Sequence, residues 1–124
     1  MDGGPFRVRG GYIWPIDAVE VRPRVQLSSW RVYEVAHARG EALSRHLVGY
    51  VLDRDHGQVS SPIVRIDAAS RCCVTRSGRI YELVGEAGYC DDASYVWQSW
   101  MHVNGILHAR DVTDELLQRS EGGL

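Results

Sequence analysis

The chain has 124 residues, a length that fits a single domain with one hydrophobic core. Its 14 basic residues, all arginine, and 16 acidic residues give a formal charge of −2, which argues against a general nucleic-acid binder. Three cysteines, an odd number, do not form a disulfide framework. No apolar run approaches the roughly 18 residues of a membrane span, and the N-terminus lacks the apolar block of a signal peptide. We therefore expect a cytoplasmic protein.

The first segment, residues 1–17, is rich in glycine and predicts an irregular arm or a short first strand. The segment is too apolar for a free tail in water, so we expect the arm to lie on the body of the domain. Tyr12 and Trp14 lie in this glycine-flanked arm and are candidates for exposed partner-binding anchors.

Residues 18–84 predict a sheet of hairpins, because apolar and polar residues alternate in several short runs. Residues 18–27 and 30–36 predict the first two strands, and the nearly continuous apolar run at 45–52 predicts a central one. A turn at residues 53–57 then leads into a fourth strand at 58–67.

The fifth and sixth strands are predicted at residues 70–75 and 79–84, with Ser77 and Gly78 at the tip of a tight hairpin. In the fifth strand the adjacent residues Cys72 and Cys73 should point to opposite faces.

Residues 91–104 predict the main helix, since apolar or small residues recur at i, i+3, i+4, i+7 and i+8. Asp91 or Asp92 is expected to cap its N-terminus, and Gly105 suits the left-handed position after its C-terminus. Both tryptophans of the apolar face should be core residues; they are Trp97 and Trp100.

A short strand is expected at residues 106–109 and a last short helix at 113–118. The order of elements predicts one α+β domain over residues 1–124. It is an antiparallel β-sheet of about five to six strands, with one amphipathic helix packed on a face and a short C-terminal helix.

Several short strings between residues 30 and 113 carry a resemblance; they are RHLVGYV, VSSPI, TRSGRIYELVGEAG, YVWQSW and DVT. In these strings the chain resembles small uncharacterised proteins of GC-rich proteobacteria and their phages or mobile elements. The resemblance implies a fold family and a setting in phage–host conflict. It implies no established chemistry and no functional residues.

Metal and cofactor chemistry is not predicted, because the five histidines and three cysteines show none of the usual ligand spacings. Nucleophilic catalysis requires a base beside a thiol or hydroxyl. Cys90 or a serine such as Ser60 or Ser61, paired with His102, is the arrangement that a small hydrolase-type enzyme would use here. We predict that the chain is not an enzyme.

The arginines offer the strongest candidate site. Arg71, Arg76 and Arg79 cluster around one predicted hairpin tip, with Tyr81 nearby. A second stripe is formed by Arg7, Arg9, Arg22 and Arg24. Arginine and aromatic residues together anchor protein interfaces or contact phosphates and bases.

The leading hypothesis is a non-enzymatic protein–protein interaction module. Its most specific version is an anti-CRISPR-like inhibitor that blocks a surface of a bacterial defence complex. The alternative is a nucleic-acid-binding accessory protein that uses the same arginines. A homodimer remains open, and no membrane association is expected.

Overall fold

The computed structural model describes residues 6–9, 12–15, 18–37 and 43–115. The described residues form nine strands and one long helix, followed by a helical turn at residues 113–115. The strands are β1 (Phe6–Arg9), β2 (Tyr12–Pro15), β3 (Arg24–His37), β4 (Ser44–Val51), β5 (His56–Val59), β6 (Ile63–Asp67), β7 (Cys72–Thr75), β8 (Ile80–Leu83) and β9 (Ile106–Asp111); the helix, α1, is Asp91–Val103.

The long strand β3 organises the sheet. One of its edges pairs with β4 along most of its length. Its other edge is shared, because β8 pairs with the first part in parallel and β9 pairs with the last part in antiparallel orientation. A bulge between Ser28 and Arg31 separates the two parts, and Ser29 there has a φ of 47°. The sheet order is β2-β1-β5-β4-β3-β8-β7-β6, with β9 added beside β3.

The α+β class is confirmed, but the prediction of a purely antiparallel sheet was wrong. From β3 to β8 the chain runs as a meander in which β5 and β6 act as one bent strand, and β6 contacts β4. A meander of five such strands has its first and fifth strands pointing the same way. When the sheet curls until these two meet, they must pair in parallel.

Two hydrophobic clusters lie on opposite faces of the sheet. The first fills the inside of the curl and consists mainly of residues from β3, β4, β7 and β8: Val25, Leu27, Trp30, Val32, Leu47, Val51, Cys73, Tyr81, Leu83 and Val112. The second lies under α1: Val35, Val48, Val59, Ala93, Val96, Trp97 and Trp100. Neighbouring residues of β4 serve both clusters because successive side chains of a strand alternate between faces.

The prediction that Trp97 and Trp100 are core residues of the helix is confirmed, since both are buried. Its N-cap differs from the prediction. Cys90, rather than Asp91 or Asp92, occupies the cap, and its Sγ accepts a hydrogen bond from the backbone N–H of Ala93. The two carboxylates instead lie in the first turn, where the helix dipole still favours negative charge.

Several predicted boundaries shift. The two strands predicted at residues 18–27 and 30–36 are one bent strand, β3, whereas residues 19–21 form a turn. The strand predicted at 58–67 is split into β5 and β6. Within the predicted arm at 1–17, the described residues form the β1–β2 hairpin, and β1 pairs with β5. Of the short helix predicted at 113–118, residues 116–118 lie outside the described part.

The backbone of β5 at Gly57 lies directly against the start of α1. A Cβ at this position would lie 2.5 Å from the backbone oxygen of Asp92 and 2.7 Å from the backbone nitrogen of Ala93. These are main-chain atoms of the helix start and cannot move independently of α1. The absence of a side chain at Gly57 therefore allows α1 to pack this close to β5.

We predict that Gly57→Ala lowers the free energy of unfolding by about 1–3 kcal/mol, because overpacking must push the helix away. Urea denaturation followed by tryptophan fluorescence measures the change. Gly88→Ala is the matched control, since its Cβ would meet nothing closer than 3.6 Å. Equal stability of the two variants would contradict this account of the packing.

Candidate functional site

The structure does not assemble the arginine cluster predicted at the hairpin tip. Arg71 and Arg76 flank the two ends of β7, which separates them by roughly 15 Å of strand. Arg79 and Tyr81 are only 2% and 1% exposed. Tyr81 and Leu83 point into the curled sheet, and Arg79 shares their alternation. The expectation that Arg79 and Tyr81 are available to a partner was therefore wrong, whereas Arg71 and Arg76 are exposed and their role in partner binding stays a prediction.

Inside the curl, the buried polar groups bind one another. Gln58 Nε2 donates to the hydroxyl of Tyr81 at 2.7 Å, and Gln58 Oε1 lies 3.3 Å from Nε2 of His56. Arg79 Nε donates to the backbone oxygen of Arg22 at 2.9 Å. Burial raises the pKa of Tyr81. This network has the character of a satisfied polar core and not of a recognition surface.

The side chain of the exposed Arg71 hydrogen-bonds to the backbone at the end of β8 and beyond it. Its Nη2 donates to the backbone oxygen of Gly85 at 2.6 Å, and its Nε donates to that of Leu83 at 3.3 Å. The guanidinium also lies 5.9 Å from the ring centroid of Trp30. These contacts hold the loop between β8 and α1. At the other end of β7, the backbone N–H of Arg76 donates to the oxygen of Pro62.

The second predicted stripe is only partly described. Arg22 pairs with Asp53 at 2.8 Å, and Arg24 pairs with Glu82 at 2.8 Å. The backbones of β1 and β2 carry the other predicted residues, Arg7, Arg9, Tyr12 and Trp14, whose side chains lie outside the described part of the structure.

Cys90 and His102, the thiol and the base considered for hydrolysis, are not brought together. Cys90 caps the start of α1 and His102 lies in its last turn, about 18 Å away at 1.5 Å per residue. Burial raises the pKa of the Cys90 thiol, which disfavours the nucleophilic thiolate. Ser60 is 1% exposed, and its Oγ both accepts from the N–H of Leu47 and donates to the oxygen of Ser61.

A different surface gathers arginine, aromatic and exposed apolar side chains. We call it the β3–β9 ledge and define it by Arg31, Tyr33, Tyr89, Trp97, Leu107 and Ala109. It lies on the helix side of the sheet, where α1 packs mainly over β5 and β4 and leaves β3 and β9 partly uncovered.

The bulge in β3 determines what the ledge presents. Beyond it, Arg31 pairs in register with Val48, a residue of the cluster under the helix. Arg31 and Tyr33 therefore share the helix side of the sheet with the buried Val35. A small recess opens beside the bulge, lined by residues from β3, the loop before α1 and the helix itself: Ser29, Arg31, Tyr33, Tyr89, Cys90, Ser94 and Trp97 among them.

Aromatic stacking gives the ledge a rigid base. The rings of Tyr33 and Trp97 are stacked with centroids 4.6 Å apart, and Trp97 stacks in turn on Trp100 at 5.3 Å. Burial raises the pKa of Tyr33. Above this base the ring of Tyr89 is 68% exposed, and the guanidinium of Arg31 lies 4.5 Å from its centroid.

Asp111 fixes both the arginine of the ledge and the end of β9. Its carboxylate accepts from Arg31 Nε at 2.9 Å and from the N–H and hydroxyl of Thr113 at 3.0 and 2.6 Å. Burial alone would raise the pKa of Asp111, but the hydrogen bonds from Thr113 and Arg31 lower it below its ordinary value. The Oγ of Thr113 also accepts from the backbone N–H of Val32 at 2.9 Å.

No protein-family model matches the chain, and neither the curated proteins nor the solved structures include a match. Within residues 18–37 and 43–115, no three histidine, cysteine, aspartate or glutamate side chains are grouped as metal ligands would be. No helix among the described residues has the length and apolar character needed to cross a bilayer.

We predict that Asp111→Asn lowers the free energy of unfolding by about 1–2 kcal/mol at pH 7, because it weakens hydrogen bonds made to a charged group. A carboxyl whose pKa is lowered by folding stabilises the protein above its unfolded pKa of about 3.9, and this stabilisation is lost as the pH falls through the folded value. Urea denaturation at pH 7, 5 and 3 should therefore show the difference between variant and wild type shrinking at the lowest pH. A difference that is constant from pH 7 to 3 would show that the charge of Asp111 does not matter.

Proposed function

We propose that the chain is a non-enzymatic protein-interaction module that binds its partner through the β3–β9 ledge. The observation that carries the proposal is the exposed ring of Tyr89, held over Arg31 beside a buried aromatic stack. Tyrosine and arginine are enriched among the residues that contribute most to protein interfaces. Leu107, 63% exposed, adds apolar surface on β9.

The ledge is preorganised, which supports binding. Arg31 is held by Asp111 at 2.8–2.9 Å and has only 17% of its side chain exposed. Tyr33 is held against Trp97 in the same way by stacking. A partner that docks there does not have to immobilise these side chains, so less conformational entropy is lost on association.

The nature of the partner rests on the resemblance to phage and mobile-element proteins. In that setting a compact protein of this size would act by covering a functional surface of a bacterial defence complex. The steric mechanism needs no catalytic group. We place the contact on the ledge instead of the hairpin tip at residues 75–79, because Arg79 and Tyr81 are buried and cannot reach a partner.

Nucleic-acid binding is less well supported by the described arginines. Five of them are paired with carboxylates, which reduces the positive field available to a phosphate backbone: Arg22, Arg24, Arg31, Arg45 and Arg110. Fluorescence anisotropy with single-stranded and duplex oligonucleotides separates the two classes. Affinity for nucleic acid should fall steeply between low and high salt, whereas a ledge-mediated protein contact should change little.

We predict that Tyr89→Ala weakens binding at least tenfold, a loss of about 1.4 kcal/mol or more, because it removes the exposed ring of the ledge. Biolayer interferometry against a panel of purified CRISPR effector complexes measures the affinity. Tyr95→Ala is the matched control, since Tyr95 is also an exposed tyrosine, 49% accessible, but lies on the outer face of α1.

Three results would contradict the proposal. One is equal loss of affinity in the two tyrosine variants. Another is the absence of binding to every complex of the panel. The third is binding to oligonucleotides that is stronger than binding to any protein and is lost at high salt.

A further inference from the structure

The strand β9 has one edge without a strand partner among the described residues. It pairs with β3 alone and lies outside the main order of the sheet. It is six residues long and contains neither glycine nor proline. Such an edge presents a row of backbone donors and acceptors to which another strand can be added.

The register shows which groups point outward. The N–H of Val112 donates to the oxygen of Val32 at 2.9 Å, so these two residues form a hydrogen-bonded antiparallel pair. Because such pairs alternate along a ladder, Arg110 opposite Glu34 and His108 opposite Ala36 also point their backbone groups toward β3. The intervening residues, Ala109 and Asp111, must direct their N–H and C=O groups to the free edge.

The side chains of β9 do not protect this edge in the usual manner. Charged residues discourage strand addition when they need solvent on the edge. Here Asp111 is paired with Arg31, and Arg110 is paired with both Glu34 and Glu115. These carboxylate and guanidinium groups already have partners, so a strand added along β9 would not bury an unpaired charge.

The two faces of β9 indicate the sequence of an added strand. On one face, Ala109 lies opposite Val35 and Leu107 is exposed nearby, which favours apolar neighbours. On the other face His108 is exposed. Arg110 is paired with Glu34 and Glu115, but 58% of its side chain is exposed and its guanidinium has further N–H donors, which favours acidic neighbours directly opposite.

We propose that an extended segment of the partner protein, with alternating apolar and acidic residues, adds as a strand to the free edge of β9. The inference rests on the proposed function and specifies its contact: backbone hydrogen bonds to Ala109 and Asp111 supply affinity, and the alternation supplies selectivity. The ledge beside β9 then receives the remainder of the partner.

A defined peptide probe tests the proposal on the full chain. The probe is acetyl-EVEVEVEV-amide, and its controls are acetyl-KVKVKVKV-amide and the rearranged acetyl-EEVVVVEE-amide. We expect the first peptide to bind at least tenfold more tightly than either control, measured by fluorescence anisotropy with labelled peptides. Equal binding of the three peptides, or none by any, would overturn the proposal.

The backbone contact is tested by Ala109→Pro, which removes an outward N–H and leaves the hydrogen bonds to β3 in place. Ala109→Thr is the control that keeps the N–H. We expect a tenfold or greater loss of peptide affinity for the proline variant only. Should the proline variant unfold, the amide shifts of Ala109 and Asp111 in the ¹⁵N-labelled wild-type chain decide, since both must move on peptide addition.

Two further outcomes are informative. A dimer of the chain that Ala109→Pro dissociates would mean that a second copy occupies the edge, which overturns the proposal of a partner strand. Partner binding that depends on Tyr89 but is unchanged in Ala109→Pro would leave the interaction module standing and overturn strand addition alone.

Discussion

The structure depends on the way a single strand, β3, shares one of its edges between two others. The bulge at Ser29 makes this sharing possible, because it redirects the strand after its parallel pairing with β8 and before its antiparallel pairing with β9. The first half of β3 closes the curl around one hydrophobic cluster. The second half carries Tyr33 and Val35 toward α1 and the other cluster.

This division also separates structural from accessible groups. Within the curl, even Arg79 and Gln58 are used to satisfy buried polar atoms. On the helix side, α1 covers β4 and β5 but reaches β9 with little contact. In the part of β3 and β9 that α1 leaves uncovered, Asp111 holds Arg31 and stacking on Trp97 holds Tyr33. Cys90 and His102, by contrast, lie at opposite ends of α1.

The helix was predictable because its signal is local: the positions of Trp97 and Trp100 depend only on a period of 3.6 residues. The parallel pairing of β3 with β8 was not predictable. Apolar and polar residues alternate at 24–27 and 80–83 as in any half-buried strand, and this local pattern does not specify which strand pairs with which. The burial of Arg79 was a missed signal, because it shares the alternation of Tyr81. The ledge could not be predicted from local sequence either. Arg31 and Tyr89 are distant in sequence, and only the bulge in β3 and the loop before α1 bring their side chains together.

The strand β9 is held to β3 by one edge, and no strand of the described part of the chain pairs with its other edge. Amide hydrogen exchange of the free monomer, followed residue by residue by NMR, tests it most directly. We predict slow exchange at His108 and Arg110, whose N–H groups face β3, and exchange at least tenfold faster at Ala109 and Asp111, whose N–H groups face outward. Equal protection of all four amides in the monomer would show that the edge is already covered and would contradict the claim.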